Sequence, residues 1–564
     1  MGTVAPRRAQ RRVVPDTAEA HVCGISGEVR FDGGVADTAA VAAMCDQLQR
    51  RGPDGSGGWQ SGPVALGHRR LKIIDLTDAG AQPMVDAELG PTLVFNGIIY
   101  NYPQLRAGLQ AAGYRFFSTS DTEVVLKAYH RWGAACVERF LGMFAFVVVE
   151  RDSGRVVMAR DRFGIKPLYL SRGPGRLRFA SSLPALVRAG GVDTSIDPVA
   201  LHHYMSFHAV VPAPRTILAG VGKLPPATVR TVEPDGRESD REYWRPVHTR
   251  RPEFAGLHPV EWQERVLESL RVAVRRRMVS DVPVGVLLSG GIDSSLVVGL
   301  LAEEGQRGPA TFSIGFEAVG GRSGDEFVWS DVVAETFGTD HHRLMVPTAD
   351  VHAGLDGAIG AMSEPQTSHD AVAFHLLSQQ VSQHVKVVQS GQGADEVLAG
   401  YDWCPPLDGV PASAGVDAYA RVFIDRPHSE LVRLLGEQWA TTEDVSRALV
   451  AEHFARPGAD TTLDKALRLD STVMLVDDPV KRVDNMTMAW GLEARVPFLD
   501  HEFAELVAAV PPGLKLMHGG KGLLKDAARA VVPAAVIDRP KGYFPVPAVI
   551  ELQSAYLETV RARR

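Results

Sequence analysis

At 564 residues the chain is too long for a single hydrophobic core, so two or more domains are expected. Its composition, 45% hydrophobic and 23% charged, is that of an ordinary globular protein, and a net charge of −7 leaves no basic excess for a nucleic-acid backbone. Four widely spaced cysteines, Cys23, Cys45, Cys136 and Cys404, form neither metal-ligand pairs nor a disulfide framework, which points to a reducing cytoplasm, and no apolar run reaches the ~18–20 residues of a membrane helix.

The first 22 residues carry Arg7, Arg8, Arg11 and Arg12 but no apolar stretch after them, unlike a secretory signal. Residues 1–22 read as a leader or as translated upstream sequence, disordered in either case. Late initiation at Val22 is the favoured of the two, because it would leave Cys23 at the chain terminus. From Cys23 to about Ala189 the pattern is strand-rich, with apolar runs at Leu93–Phe95 and Phe144–Val149. Thr38–Gln49 and Thr122–Trp132 read as helices, the latter with Val125, Leu126 and Tyr129 at helical spacing. A Pro- and Gly-rich stretch follows, and residues 211–257 read as a linker between a domain at 23–210 and another at 258–564. In the second domain Glu261–Arg277 and Ser294–Glu304 read as helices. Val282–Leu288, Ala310–Ile314 and Val385–Val388 read as buried strands, and their alternation with helices predicts a parallel α/β sheet. From Asp470 the chain reads as mostly helical.

Cys23-Gly24-Ile25-Ser26-Gly27 carries a candidate nucleophile. A cysteine attacks an amide as thiolate, and a cysteine at a chain terminus can use its own α-amine as general base. The residues that follow come in a telling order: Arg51-Gly52-Pro53-Asp54-Gly55, Phe95-Asn96-Gly97, Ser120-Asp121-Thr122-Glu123, Gly142-Met143-Phe144-Ala145-Phe146, and Asp161-Arg162-Phe163-Gly164-Ile165-Lys166-Pro167-Leu168-Tyr169. The set resembles the class II glutamine amidotransferase domain, an N-terminal-nucleophile (Ntn) hydrolase αββα sandwich. That resemblance implies that Cys23 attacks glutamine and that Asn96 and Gly97 donate to the oxyanion. It also implies that Arg51 holds the α-carboxylate and Asp121 the ammonium. Taken on its own, Asp121 also reads as a helix N-cap. Where this family has Asn-Gly-Glu, the chain reads Asn96-Gly97-Ile98, so ammonium recognition rests on Asp121.

Ser289-Gly290-Gly291-Ile292-Asp293-Ser294-Ser295 follows directly on an apolar strand and opens a helix, where backbone N–H groups and the helix dipole favour an anion. It resembles the pyrophosphate loop of ATP pyrophosphatases, of the adenine-nucleotide α-hydrolase-like fold. The resemblance implies ATP as substrate and Asp293 and Asp395 as Mg²⁺ ligands, hard oxygens that suit this ion. It places Lys521 on the phosphates. Together with Met486-Thr487-Met488-Ala489, Leu492-Glu493-Ala494-Arg495-Val496-Pro497-Phe498-Leu499-Asp500 and Arg539-Pro540-Lys541-Gly542-Tyr543, the chain from Cys23 resembles glutamine-hydrolysing asparagine synthetase.

Two departures bear on the acceptor: Ser390-Gly391-Gln392-Gly393 where the family has Ser-Gly-Glu-Gly, and Asp484-Asn485 where it has Asp-Arg. The strings 387–396, 485–495 and Lys541–Pro547 resemble the N-acetylglutaminylglutamine amidotransferase branch, which amidates a dipeptide carboxyl to make a compatible solute. The expected function is therefore ATP-dependent amidation of a carboxylate with glutamine as donor, releasing AMP and pyrophosphate. N-acetylglutaminylglutamine is the expected acceptor, and aspartate or a cell-wall carboxylate the alternative. A ligand sensor without turnover and a β-lactam-forming synthetase are weaker readings. The intact phosphate loop opposes the first and the nucleophile set around Cys23 the second. No nucleic acid or membrane partner is expected, and a homodimer is compatible with the sequence.

Overall fold

The computed structural model describes residues 23–52, 54–319, 322–366, 368, 370–540 and 542, so the leader at 1–22 and most of the Lys541–Pro547 string lie outside the described residues. The first twelve strands are β1 Gly24–Arg30, β2 Gly55–Ser61, β3 Val64–Arg70, β4 Met84–Val85, β5 Thr92–Ile99, β6 Gly142–Val149, β7 Val156–Arg160, β8 Tyr169–Gly173, β9 Arg176–Ala180, β10 Gly222–Lys223, β11 Thr228–Val232 and β12 Glu238–Glu242. They form two six-stranded antiparallel sheets, ordered β10-β8-β9-β1-β3-β2 and β12-β11-β7-β6-β5-β4. Strand β6 shows why its sequence is a continuous apolar run. Ala145, Val147 and Val149 face the core between the sheets, while Phe144, Phe146 and Val148 face a second core beneath the helices Tyr102–Ala111 and Asp121–Trp132. The helices Thr38–Gln47 and Leu183–Arg188 cover the far face of the other sheet. This is the expected αββα sandwich, and each large apolar side chain buried in it contributes about 1.5–3 kcal/mol.

Residues 211–257 are not a free linker. They supply β10 to one sheet and β11 and β12 to the other, and β11 pairs with β7 from Val229↔Ala159 to Val232↔Val156. The prolines that suggested a linker, Pro212, Pro214, Pro225, Pro226 and Pro234, all lie outside these short strands, the first two ahead of β10 and the others between strands, where no ladder N–H is needed.

The second half holds β13 Val284–Leu287, β14 Ala310–Val319, β15 Arg322–Gly324, β16 Asp340–Val346, β17 Val387–Gln389 and β18 Glu493–Arg495. All but β15 are parallel to their neighbours, in the order β16-β14-β13-β17-β18. Strand β18 lies inside the segment read as helical. Its three residues form a ladder with β17 from Val387↔Glu493 to Gln389↔Arg495, a run too short to show a strand period in sequence. The helix Ile292–Glu303 is apolar nearly all round because it is enclosed: Leu296, Val297, Val298, Leu300 and Leu301 are fully buried.

The halves share one core. Leu71, Ile73, Ile98, Tyr100 and Phe163 pack in the same cluster as Val266, Leu288, Leu300 and Leu499. Among the described residues no helix is long and apolar enough to cross a membrane.

Candidate functional site

Two cavities hold most of the candidate residues. The first is small and lies at the seam of the halves, lined by Cys23, Arg70, Gly97, Ile98, Asp121 and Glu493 among others. Cys23 sits just before β1, and its Sγ accepts from the Leu71 N–H at 3.3 Å. Burial pushes its thiol up to about 11, with the Glu493 carboxylate adding to the rise and the Leu71 N–H, Arg70 and Lys166 opposing it. At neutral pH the group is therefore a thiol, and attack requires a base.

Gly97 has φ +149°, and a Cβ there would lie 2.1 Å from the Met143 carbonyl, so the backbone can approach the cavity only as glycine. Asn96 is fully buried and both polar atoms of its side-chain amide lack a partner, a costly arrangement unless a ligand completes it.

Asp121 is the first residue of the helix Asp121–Trp132 and not its cap. Ser120 caps it, accepting from Thr122 N–H at 3.1 Å. Asp121 instead turns to the cavity and accepts from Ile99 N–H at 3.1 Å. Burial, reinforced by the Glu493 charge, pushes its carboxyl up to about 7.

Arg51 departs from expectation. It does not line this cavity; its Nη2 donates to Asp484 Oδ2 at 3.0 Å, a buried ion pair between the halves. The arginine at the cavity is Arg70, at the end of β3, 5% exposed, which also donates from Nη1 to the Thr77 carbonyl at 2.6 Å. Nothing in the string His68-Arg69-Arg70-Leu71 sets Arg70 apart from its neighbour; only the register of β3 turns it inward. Glu493 was also absent from the expected site residues. It closes the cavity from the other half, held by Arg495 Nε at 2.9 Å.

The second cavity, of about 610 Å³, lies at the carboxyl ends of β13 and β17, where the strand order reverses. Ser289, Gly291, Asp293, Ser294, Gln392, Asp395 and Lys521 line it. Gly290 and Ser295 support the loop from behind. Gly290 has φ +69°, and a Cβ there would lie 2.6 Å from the Ser330 nitrogen, while Ser295 Oγ donates to the Gly291 carbonyl at 2.7 Å. Ser289 N–H donates to Ser294 Oγ at 3.1 Å, which closes the turn at the start of the helix.

Lys521 is 6% exposed and binds both acids, Asp293 at 2.6 Å and Asp395 at 2.9 Å. Although burial alone would lower it, these two carboxylates hold its ammonium well above the usual lysine range. Two carboxylates converging on one cation at a phosphate-sized loop are a donor set that fits Mg²⁺ beside phosphate oxygens. Asn485 does not line this cavity. It accepts from Ser363 Oγ at 3.2 Å, so of the two departures near the acceptor only Gln392 is at the site.

A family described as asparagine synthase matches residues 265–563, and a glutamine amidotransferase domain matches residues 22–244. The chain is 32% identical over 561 residues to asparagine synthetase (glutamine-hydrolyzing) 1 of Bacillus subtilis, covering 92% of this chain and 86% of that protein. It is 33% identical over 592 residues to a putative asparagine synthetase (glutamine-hydrolyzing) of Mycobacterium tuberculosis, covering 93% and 88%. It is also 27% identical over 575 residues to amidase chyE of Penicillium rubens, covering 88% and 84%.

Proposed function

The chain belongs to the glutamine-hydrolysing asparagine synthetase family and is a glutamine-dependent amide ligase, and from that premise we propose which residues perform each half-reaction and on which acceptor. Cys23 attacks the glutamine side-chain amide, with its proton taken by its own α-amine once that amine is free. The Asn96 side-chain amide and the Gly97 N–H donate to the oxyanion; the unpartnered, buried Asn96 amide supports this role. Arg70, not Arg51, binds the α-carboxylate, because Arg70 and Cys23 line one cavity. Asp121 receives the ammonium. Water releases glutamate, and the ammonia passes to the second site.

There ATP and the acceptor carboxylate react to give an acyl-adenylate and pyrophosphate, and ammonia displaces AMP. The N–H groups of the Ser289–Ser295 loop bind the phosphates, and Lys521 stabilises the departing pyrophosphate. Asp293 and Asp395 would hold Mg²⁺, which supplies charge neutralisation at the phosphates.

The Asp121 assignment has a pH signature. The charged form that pairs with ammonium is fully present above a pKa of about 7 and is lost as pH falls through it. KM for glutamine is therefore expected to fall about fivefold from pH 6 to 7 and about twofold more above, before levelling off. Asp121→Asn should show a high KM that no longer varies with pH. Glutaminase assays across about pH 5.5–8 read this, and a pH-independent KM in the unmodified protein would remove Asp121 from the role.

The acceptor we propose is N-acetylglutaminylglutamine. The observation that carries this is Gln392 on the nucleotide cavity, a neutral amide where a carboxylate would be needed to meet the ammonium of a free amino acid. An N-acylated dipeptide has no such ammonium. Aspartate is the second reading, favoured by the names of the relatives in Bacillus and Mycobacterium. Pyrophosphate release with ammonium supplied and each acceptor in turn separates the two. The dipeptide is expected to exceed aspartate by at least ~10²-fold in kcat/KM, a loss typical of an unpaired buried charge, and efficient asparagine formation would reverse the assignment.

A further inference from the structure

A third cleft, of about 720 Å³, lies on the seam between the halves and belongs to neither site above. Segments 212–215, 225–228 and 244–246 of the first half form one wall, and residues of 449–456 and 468–477 form the other. Its volume is that of a small-molecule site.

Two arginines at this cleft are buried and, among the described residues, form no ion pair. Arg162 is 8% exposed and Arg468 2%. Arg162 donates to the carbonyls of Phe140 at 2.7 Å and Glu138 at 3.1 Å. Arg468 donates to the carbonyls of Pro457 at 2.6 Å, His453 at 2.6 Å and Arg456 at 3.0 Å. The Nε of each is buried and has no hydrogen-bond partner. Among the described residues both guanidiniums donate only to carbonyls, and Arg162 also lies over the Tyr243 ring, 5.6 Å from its centroid.

The acids of the cleft are already paired with other cations, two of them with arginines of the cleft itself. Asp240 binds Arg230, Glu242 binds Arg245, Glu452 binds Arg456, and Asp477 binds Lys223 and Lys481. Burial first, and then Arg245 and Arg456, lower the proton affinity of Arg468. His453, which also lines the cleft, is driven down to about 4 by burial and by Arg456 and Arg468. Buried charge without a counter-charge is costly, and an anion in the cleft would relieve it at both arginines. Trp244 and the prolines of the first wall add an apolar surface beside them.

We propose that this seam cleft is a binding site for a small anionic metabolite, carboxylate or phosphate, whose acidic group is held by Arg162 and Arg468 and whose apolar body lies against Trp244. Contacting both halves, such a ligand would stabilise their docking. The proposal is independent of the acceptor's identity.

The test is calorimetric titration of the full chain, without nucleotide or Mg²⁺, with two probes: citrate for a carboxylate and inorganic phosphate for a phosphate. Saturable binding of at least one probe is expected, weakened tenfold or more by Arg162→Gln and by Arg468→Gln and unchanged in Lys521→Ala. The probe that binds more tightly identifies the anion class. Arg468 also ties three carbonyls, so its variant can fail to fold. Arg245→Gln, on the exposed rim, then decides, with an expected loss of about threefold from the lost nearby charge. No saturable binding of either probe overturns the proposal. So does binding that disappears in Lys521→Ala but survives in the arginine variants, because it places the anion in the nucleotide cavity.

Discussion

Cys23→Ala is expected to abolish glutamine-dependent amide formation, by at least ~10³-fold, while leaving amide formation from added ammonium near the unmodified rate. The substitution removes the thiol and leaves the cavity walls in place, since the hydrogen bonds of Cys23 Sγ go to a single residue, the N–H and carbonyl of Leu71. The residues that line the nucleotide cavity come from other segments altogether, Leu287–Asp293, Ser390–Glu396 and His518–Lys521 among them. Nothing in the adenylation chemistry needs the thiol. Parallel assays with glutamine and with ammonium separate the outcomes. Loss of both activities in a folded variant would break the assignment of two separate sites.

Asp293→Asn is expected to lower pyrophosphate release by about 10²–10³-fold, the usual loss on removing one electrostatic partner of a developing charge. Asp293 lies in the first turn of the helix Ile292–Glu303 and binds Lys521 at 2.6 Å. The variant keeps Asp395 at 2.9 Å as a partner for that buried ammonium, so the fold should persist. What is lost is one hard oxygen for Mg²⁺ and one of the two charges that hold Lys521 in place. Glutaminase activity should be unchanged, because the Cys23 cavity shares no lining residue with this one. An unaltered pyrophosphate rate would remove Asp293 from the phosphate machinery.

Much of this architecture was legible in the chain because its signals are local. An apolar run buried on both faces, as in β6, and a strand–glycine turn–helix junction, as at Leu287–Ile292, are set by nearest neighbours and backbone sterics. The order of motifs likewise sets the Cys23 nucleophile segment apart from the Ser289–Ser295 phosphate loop.

Tertiary structure decided the contacts between segments far apart in sequence. Arg51 and Arg70 are chemically alike and only nineteen positions apart. Which of them faces the cavity depends on the register of β3 and on an Asp484 that lies 433 residues from Arg51. Residues 211–257 have the composition of a linker, yet their short strands complete both sheets, because a two-residue strand such as β10 is stabilised by its partner and not by its own propensity. Glu493 reaches the Cys23 cavity, and Arg162 and Arg468 share one cleft, only because the two halves dock through a common core. Local sequence determines which chemistry the chain carries, and the docking of distant segments determines which side chains meet to use it.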